Sequence, residues 1–158
     1  MILTAQEEYG LRCALSLARV APDEALTLSQ IAEAEGLTTA YAGKLMRLLV
    51  QAGLVDSTRG RTGGYSLTRD PADITVNQIV GPLGGPFYDG EICNKTPSAL
   101  SLCVHNNDCA VRSLWSGLQG MIDRYLGQVS LRDLVSDEAT MNRTMNDIRD
   151  QVVVQEGS

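Results

Sequence analysis

The chain has 158 residues, 44% of them apolar, enough for one domain with a core or for one small domain with an appended element. No apolar run approaches the roughly 18 residues of a membrane span, and the opening MILTAQEEYG carries acids where a secretory signal would carry bases. A cytoplasmic protein is expected, with its cysteines kept as thiols.

The first expected helix covers 4–20, with Thr4 as N-cap, Glu7 completing a capping box, and Tyr9, Leu11, Ala14, Leu15 and Ala18 at helical spacing. Ala21-Pro22 ends it. Thr27 or Ser29 caps a short second helix that stops at Gly36. Thr38 or Thr39 starts a third, in which Tyr41, Leu45, Leu48 and Leu49 form the apolar stripe before Gly53 closes it. Two short helices around a tight Gly turn, the second carrying Tyr41, Lys44 and Arg47, read as a helix-turn-helix.

Leu54-Val55 opens a strand, Arg59-Gly60-Arg61-Thr62-Gly63-Gly64 turns, and Tyr65-Ser66-Leu67 returns, which predicts a hairpin. Its glycines let backbone approach a phosphate or groove wall while the arginines reach past it. Charge supports a nucleic-acid face here. Of the net charge of -6, the stretch 38–69 holds five bases and one acid, or +4, leaving -10 for the rest. Thr39, Tyr41, Lys44 and Arg47 are expected to face the major groove, and Arg59 and Arg61 the DNA backbone or minor groove.

Asp70-Pro71 breaks the chain, a short helix follows over 75–80, and Gly81 to Pro86 reads as a linker. From Ala110 to about Leu126 a long helix carries Val111, Leu114, Trp115, Leu118, Met121, Ile122 and Tyr125 at spacings of three and four. That is more apolar surface than its own domain needs, so the stripe predicts a homodimer face, as a two-fold DNA site requires. Ser130 caps another short helix, and beyond Asp137 the polar tail is expected to be mobile or to pack on a partner.

Between the linker and the long helix lies the stretch around which the chain is organised. Glu91 to Trp115 holds Cys93, Cys103 and Cys109 in the spacing C-x9-C-x5-C, among Asn, Ser, Pro and Asp. So polar a loop has little apolar material to fix it, and three thiolates on one metal centre would do so, with zinc, copper(I) or an iron-sulfur cluster as the chemistry thiolates favour. The fourth cysteine, Cys13, falls on the apolar side of the first helix and is expected to be a buried thiol rather than a ligand. A thiol-dependent enzyme using Cys109 is the competing reading, but the single histidine, His105, is alone and unsupported in the sequence, and no enzyme activity is expected.

MILTxxxxYGLR, a helix-turn-helix ending in AGLV, the wing RGRTGGYSL, and three cysteines running into C-x5-SLW and VSLRDLV together resemble the IscR, NsrR and RirA group of bacterial winged-helix regulators over about 1–135. The resemblance implies a homodimer on palindromic promoter DNA with one iron-sulfur cluster (4Fe-4S or 2Fe-2S) per subunit, ligated by Cys93, Cys103, Cys109 and a fourth residue of another type. Where IscR-like members have a His after the third cysteine this chain has Arg112. NsrR-like members use an acid in the first helix, and Glu8 stands at that position. Glu8 is therefore the expected fourth ligand, with Glu7, His105 and an external thiol or water as the other candidates.

The expected fold is mainly α with a small β-hairpin wing: a winged helix-turn-helix domain over 1–82, a cysteine-bearing loop over 83–109, a dimerisation helix and following short helix over 110–136, and a tail over 137–158. The expected function is a homodimeric DNA-binding transcription regulator that senses redox state, nitric oxide or iron supply. The alternative is the same fold binding zinc or switching through a cysteine thiol without a cluster.

Overall fold

A computed structural model of the chain describes residues 3–61, 63–91, 103, 105 and 108–155. Helix α1 (Ala5–Ala18) begins with the predicted capping box, in which Glu7 N–H donates to Thr4 Oγ1 at 3.3 Å and Thr4 N–H to Glu7 Oε2 at 2.9 Å. Helix α2 (Leu28–Ala34) is capped by Thr27 with Gln30. Gly36 then takes φ 65, a left-handed conformation that costs glycine nothing, and turns the chain into α3 (Thr39–Gln51), capped by Thr38. The helix-turn-helix is present as expected.

Strands β1 (Val55–Thr58) and β2 (Gly64–Leu67) pair antiparallel, with Val55 opposite Leu67 and Thr58 opposite Gly64. Leu26 and Tyr65 exchange backbone hydrogen bonds of 3.0 and 2.8 Å, so the wing is tied at its root to the segment that leads into α2. After a 3-10 turn at Pro71–Asp73 comes α4 (Val76–Gly84), again with a capping box, Thr75 with Gln78.

Here the structure departs from the sequence reading. The linker expected from Gly81 to Pro86 is helical as far as Gly84, despite Pro82 inside it. Proline normally breaks a helix interior at a cost of about 3 kcal/mol, but Leu83 is buried at 3% exposure against α1, and its carbonyl accepts a hydrogen bond from the Gln6 side chain. Tertiary contact holds the last turn in place.

Helix α5 (Ala110–Gly127) follows the cysteine segment, then α6 (Leu131–Leu134) and α7 (Glu138–Gln155). The polar tail was expected to be mobile or partner-bound. Over Glu138–Gln155 it is instead a helix that packs on α5 and α6 of its own chain, with Ile148 buried and Met141 and Met145 beside it.

The main core lies where α1, α3 and α4 meet: Cys13, Leu45, Met46, Leu49, Ile74 and Ile79 are each 0% exposed. Burying a Leu or Ile this fully stabilises by about 1.5–3 kcal/mol relative to exposure. A second cluster, Val76, Val129 and Ile148 with Leu11 and Tyr125 packed on it, joins α4 and α1 to the C-terminal helices. Backbone bonds from Val76 N–H to Val129 O (2.8 Å) and from Leu131 N–H to Ile74 O (2.9 Å) seal that junction. Among the described residues no helix is long and apolar enough to cross a membrane.

Candidate nucleic-acid interface and cysteine segment

The burial pattern of α3 decides which side chains can meet DNA. Ala42, Leu45, Met46 and Leu49 face the core, which leaves Thr39, Lys44 and Arg47 exposed on the other side. Lys44 and Arg47 are three residues apart and so share one helix face. Tyr41 is half-buried at the edge of that face, with its ring edge-on to Tyr9 of α1 at 6.4 Å between centroids. Arg59 and Arg61 are exposed at the tip of the hairpin, with Gly60 between them at φ 113. Thr62 lies outside the described residues.

Behind Tyr41 lies a contact line that sequence reasoning missed. Glu8 Oε1 accepts from Arg12 at 2.7 Å, the guanidinium carbon of Arg12 sits 5.9 Å over the Tyr9 ring, and Tyr9 meets Tyr41. The hydrogen bond and charge of Glu8 raise the Arg12 guanidinium above its ordinary pKa. The Glu8-Arg12 part was legible, since acid and base four apart on a helix pair readily. The Tyr9-Tyr41 part was not, because it depends on how α1 crosses α3.

The other acid of this turn is committed elsewhere. Glu7 Oε2 accepts from both the backbone N–H and the hydroxyl of Thr4, at 2.9 and 2.7 Å, as part of the helix cap. Further along α1, Cys13 is in the core, where burial and, less strongly, Glu35 push its thiol up to about 12. A thiol held protonated in this way is a packing group, as the sequence suggested.

Cys93 lies outside the described residues. Cys103 and Cys109 are half-buried, and His105 is exposed. Cys109 caps α5: its Sγ accepts the Arg112 N–H at 3.4 Å, so the sulfur already acts as an electron-pair donor. Among the described residues no three His, Cys, Asp or Glu side chains form a group that could hold a metal ion, so Glu8, Cys103 and Cys109 are not gathered within this chain. The donor chemistry fits a thiolate-bound centre, since Cys103 and Cys109 are each only half-buried and lie in a polar segment.

The sequence pattern of the Rrf2 family, described as iron-dependent transcriptional regulators, matches residues 3–137. The chain belongs to the Rrf2 family. Protein rrf2 of Nitratidesulfovibrio vulgaris is 31% identical over 137 residues, covering 87% of this chain and 89% of that protein. Two solved Rrf2-type structures superpose well. IscR of T. potens gives a TM-score of 0.65 at 29% identity, over 85% of this chain and 86% of that one. CymR, titled the global cysteine regulator of B. subtilis, gives 0.67 at 28%, over 87% and 99%. The winged-helix fold is thus shared with regulators of transcription, while α7 starts just past the span that the Rrf2 pattern matches.

Proposed function

We propose that the chain is a homodimeric regulator that binds double-stranded promoter DNA and senses redox state, nitric oxide or iron supply through an iron-sulfur cluster held by Cys93, Cys103, Cys109 and Glu8. The carrying observation is the contact line Glu8–Arg12–Tyr9–Tyr41, which runs from the expected fourth ligand to the DNA-facing helix. The family description as iron-dependent also supports it.

When bound, the cluster supplies a centre whose ligation responds to oxidants, nitric oxide and iron loss. The rest is done by this chain's residues. Arg12 holds Glu8 Oε1, so Glu8 must share or give up that bond to serve as a ligand. An Arg12 released from Glu8 is free to shift its existing contact with the Tyr9 ring, and Tyr9 meets Tyr41 edge-on, so the change reaches the helix that presents Thr39, Lys44 and Arg47. Arg59 and Arg61 add contacts to the phosphate backbone.

Dimerisation is supported by α5, none of whose 18 residues is buried, although Val111 and Leu114 are 61% and 62% exposed and Trp115, Leu118 and Met121 continue the stripe. Two copies joined along it would place two α3 helices for a two-fold site. The deciding measurement is the visible absorption of protein purified without air, with an iron and sulfide count, beside DNA binding of the loaded and stripped forms. A brown protein whose two forms differ in DNA affinity supports the reading, and a colourless, iron-free protein overturns it.

A second reading, a thiol switch on the same fold, is favoured by the engagement of Glu8 with Arg12 and by the likeness to CymR. It expects a colourless protein whose DNA affinity follows thiol oxidation.

A further inference from the structure

The chain leaving α4 toward Cys93 is fastened to α5 by two adjacent residues. Phe87 meets Trp115 edge-on, with 6.0 Å between ring centroids and 73° between planes. Its neighbour Tyr88 donates its backbone N–H to Gln119 Oε1 at 2.9 Å. Trp115 and Gln119 are four residues apart on α5 and therefore lie one above the other on the same face. One turn further on, Asp123 accepts from Gln119 Nε2 at 2.8 Å. Asp123 can only accept when ionised, so it takes the amide nitrogen and leaves the amide oxygen facing Tyr88.

These contacts serve no core. Phe87 and Trp115 are 36% and 39% exposed, and neither belongs to the two apolar clusters that stabilise the fold. Their place in the sequence is what gives them a use: Phe87 precedes Cys93 by six residues, and Trp115 follows Cys109 by six. The pair closes the chain at both ends of the stretch that holds all three late cysteines. Joining the ends of a long loop removes conformational freedom that metal binding would otherwise have to remove.

We propose that Phe87, Trp115 and Gln119 form a clasp at the base of the cysteine segment, and that they are positioning residues which bring its thiols within reach of one shared metal. The inference rests on the reading of Cys93, Cys103 and Cys109 as ligands and adds residues that prepare them. It holds for any thiolate-bound metal, so it can be tested without assembling a cluster.

Trp115 is the chain's only tryptophan, so its fluorescence, compared between wild type and variant at matched oligomeric state, reports its contact with Phe87. The experiment uses the full-length, reduced, metal-free chain, titrated with Co²⁺ and followed by the thiolate-to-cobalt absorption band. Phe87→Ala is expected to shift Trp115 emission to the red, and both Phe87→Ala and Gln119→Leu to weaken Co²⁺ binding about tenfold, the effect typical of removing a group that orients ligands. Gln119→Glu keeps an acceptor for Tyr88 N–H and should bind Co²⁺ more tightly than Gln119→Leu. Phe87 and Gln119 both lie outside the core, so far-ultraviolet circular dichroism of all three variants should match wild type. Unshifted emission in Phe87→Ala, or a cobalt affinity equal to wild type in both Phe87→Ala and Gln119→Leu, overturns the clasp. Absence of the cobalt-thiolate band in the wild-type chain is a different failure, that of the cysteines as ligands.

Discussion

Gly10 of α1 lies against Leu83 of α4 so closely that a methyl group on Gly10 would overlap the Leu83 side chain. Leu83 is 3% exposed and has little room to withdraw. Glycine inside a helix is unfavourable by about 0.5–1 kcal/mol relative to alanine, so Gly10→Ala would stabilise α1 taken alone. Overpacking costs about 1–3 kcal/mol and should win. Gly10→Ala is expected to destabilise the fold by about 1 kcal/mol, and Leu83→Ala by about 2–5 kcal/mol through the cavity it leaves. The double substitution should be less destabilising than the sum of the two, because each relieves the other's fault. Urea unfolding of the four proteins measures this, and strict additivity would contradict the contact.

Cys13 supplies a pH test. Its thiol is pushed from about 9.0 to about 12 chiefly by burial, so the folded chain keeps this proton longer than the unfolded chain does. The stabilising contribution is complete below about pH 9 and is lost as pH rises toward 12. Thermal unfolding midpoints measured upward from pH 8 should therefore fall more steeply in wild type than in Cys13→Ala. In the same protein iodoacetamide should modify Cys103 and Cys109 at pH 8 and spare Cys13 until the chain unfolds. Early modification of Cys13 would contradict its burial.

What the sequence revealed and what it hid follow from the range of the forces involved. Helix starts were legible at Thr4, Thr27, Thr38 and Ser130 because an N-cap is local, and each is present, completed to a capping box at Thr4, Thr27 and Ser130. The wing was legible because two short apolar runs flank a Gly-Arg turn. Gly81 to Gly84 was misread because its helicity comes from Leu83 and Gln6, seventy-seven positions apart in the chain. The tail was misread although a signal existed: Asp137 caps it by accepting the Thr140 N–H at 2.7 Å, and Met141, Met145 and Ile148 make a narrow stripe. Candidate ligands were legible as residue types, whereas the partner of Glu8 and the clasp on α5 depend on how helices cross.

For the DNA face, Arg59→Ala should weaken binding to specific and random duplexes alike and make the slope of log K against log salt shallower by about 1. Lys44→Ala should also blunt the preference for the specific site, since its place on α3 is the one expected to reach base edges. Fluorescence anisotropy on both duplexes across a salt series provides the comparison. An Arg59→Ala protein with unchanged affinity and slope would remove the wing from the interface.

The fourth ligand can be tested against its rivals in one set of variants. Glu7 is bound to Thr4 by two hydrogen bonds, so Glu7→Ala should act on stability, costing about 1 kcal/mol as lost caps do. Its cluster spectrum should be unaltered. His105 is exposed and sits in the chain between two of the proposed ligands, Cys103 and Cys109. Glu8 differs from both, because its carboxylate is engaged at the surface by an Arg12 whose own side chain is 54% exposed, and solvent screens an exposed pair of this kind. A metal can take the carboxylate from so weak a partner. Glu8→Ala purified without air should therefore lose the cluster or change its visible spectrum, with stability nearly unaltered. Arg12→Ala frees Glu8 and should retain the cluster, yet alter DNA affinity by breaking the contact with Tyr9. If Glu8→Ala keeps the wild-type spectrum and His105→Ala does not, the histidine is the ligand and the line from Glu8 to Tyr41 is only structural.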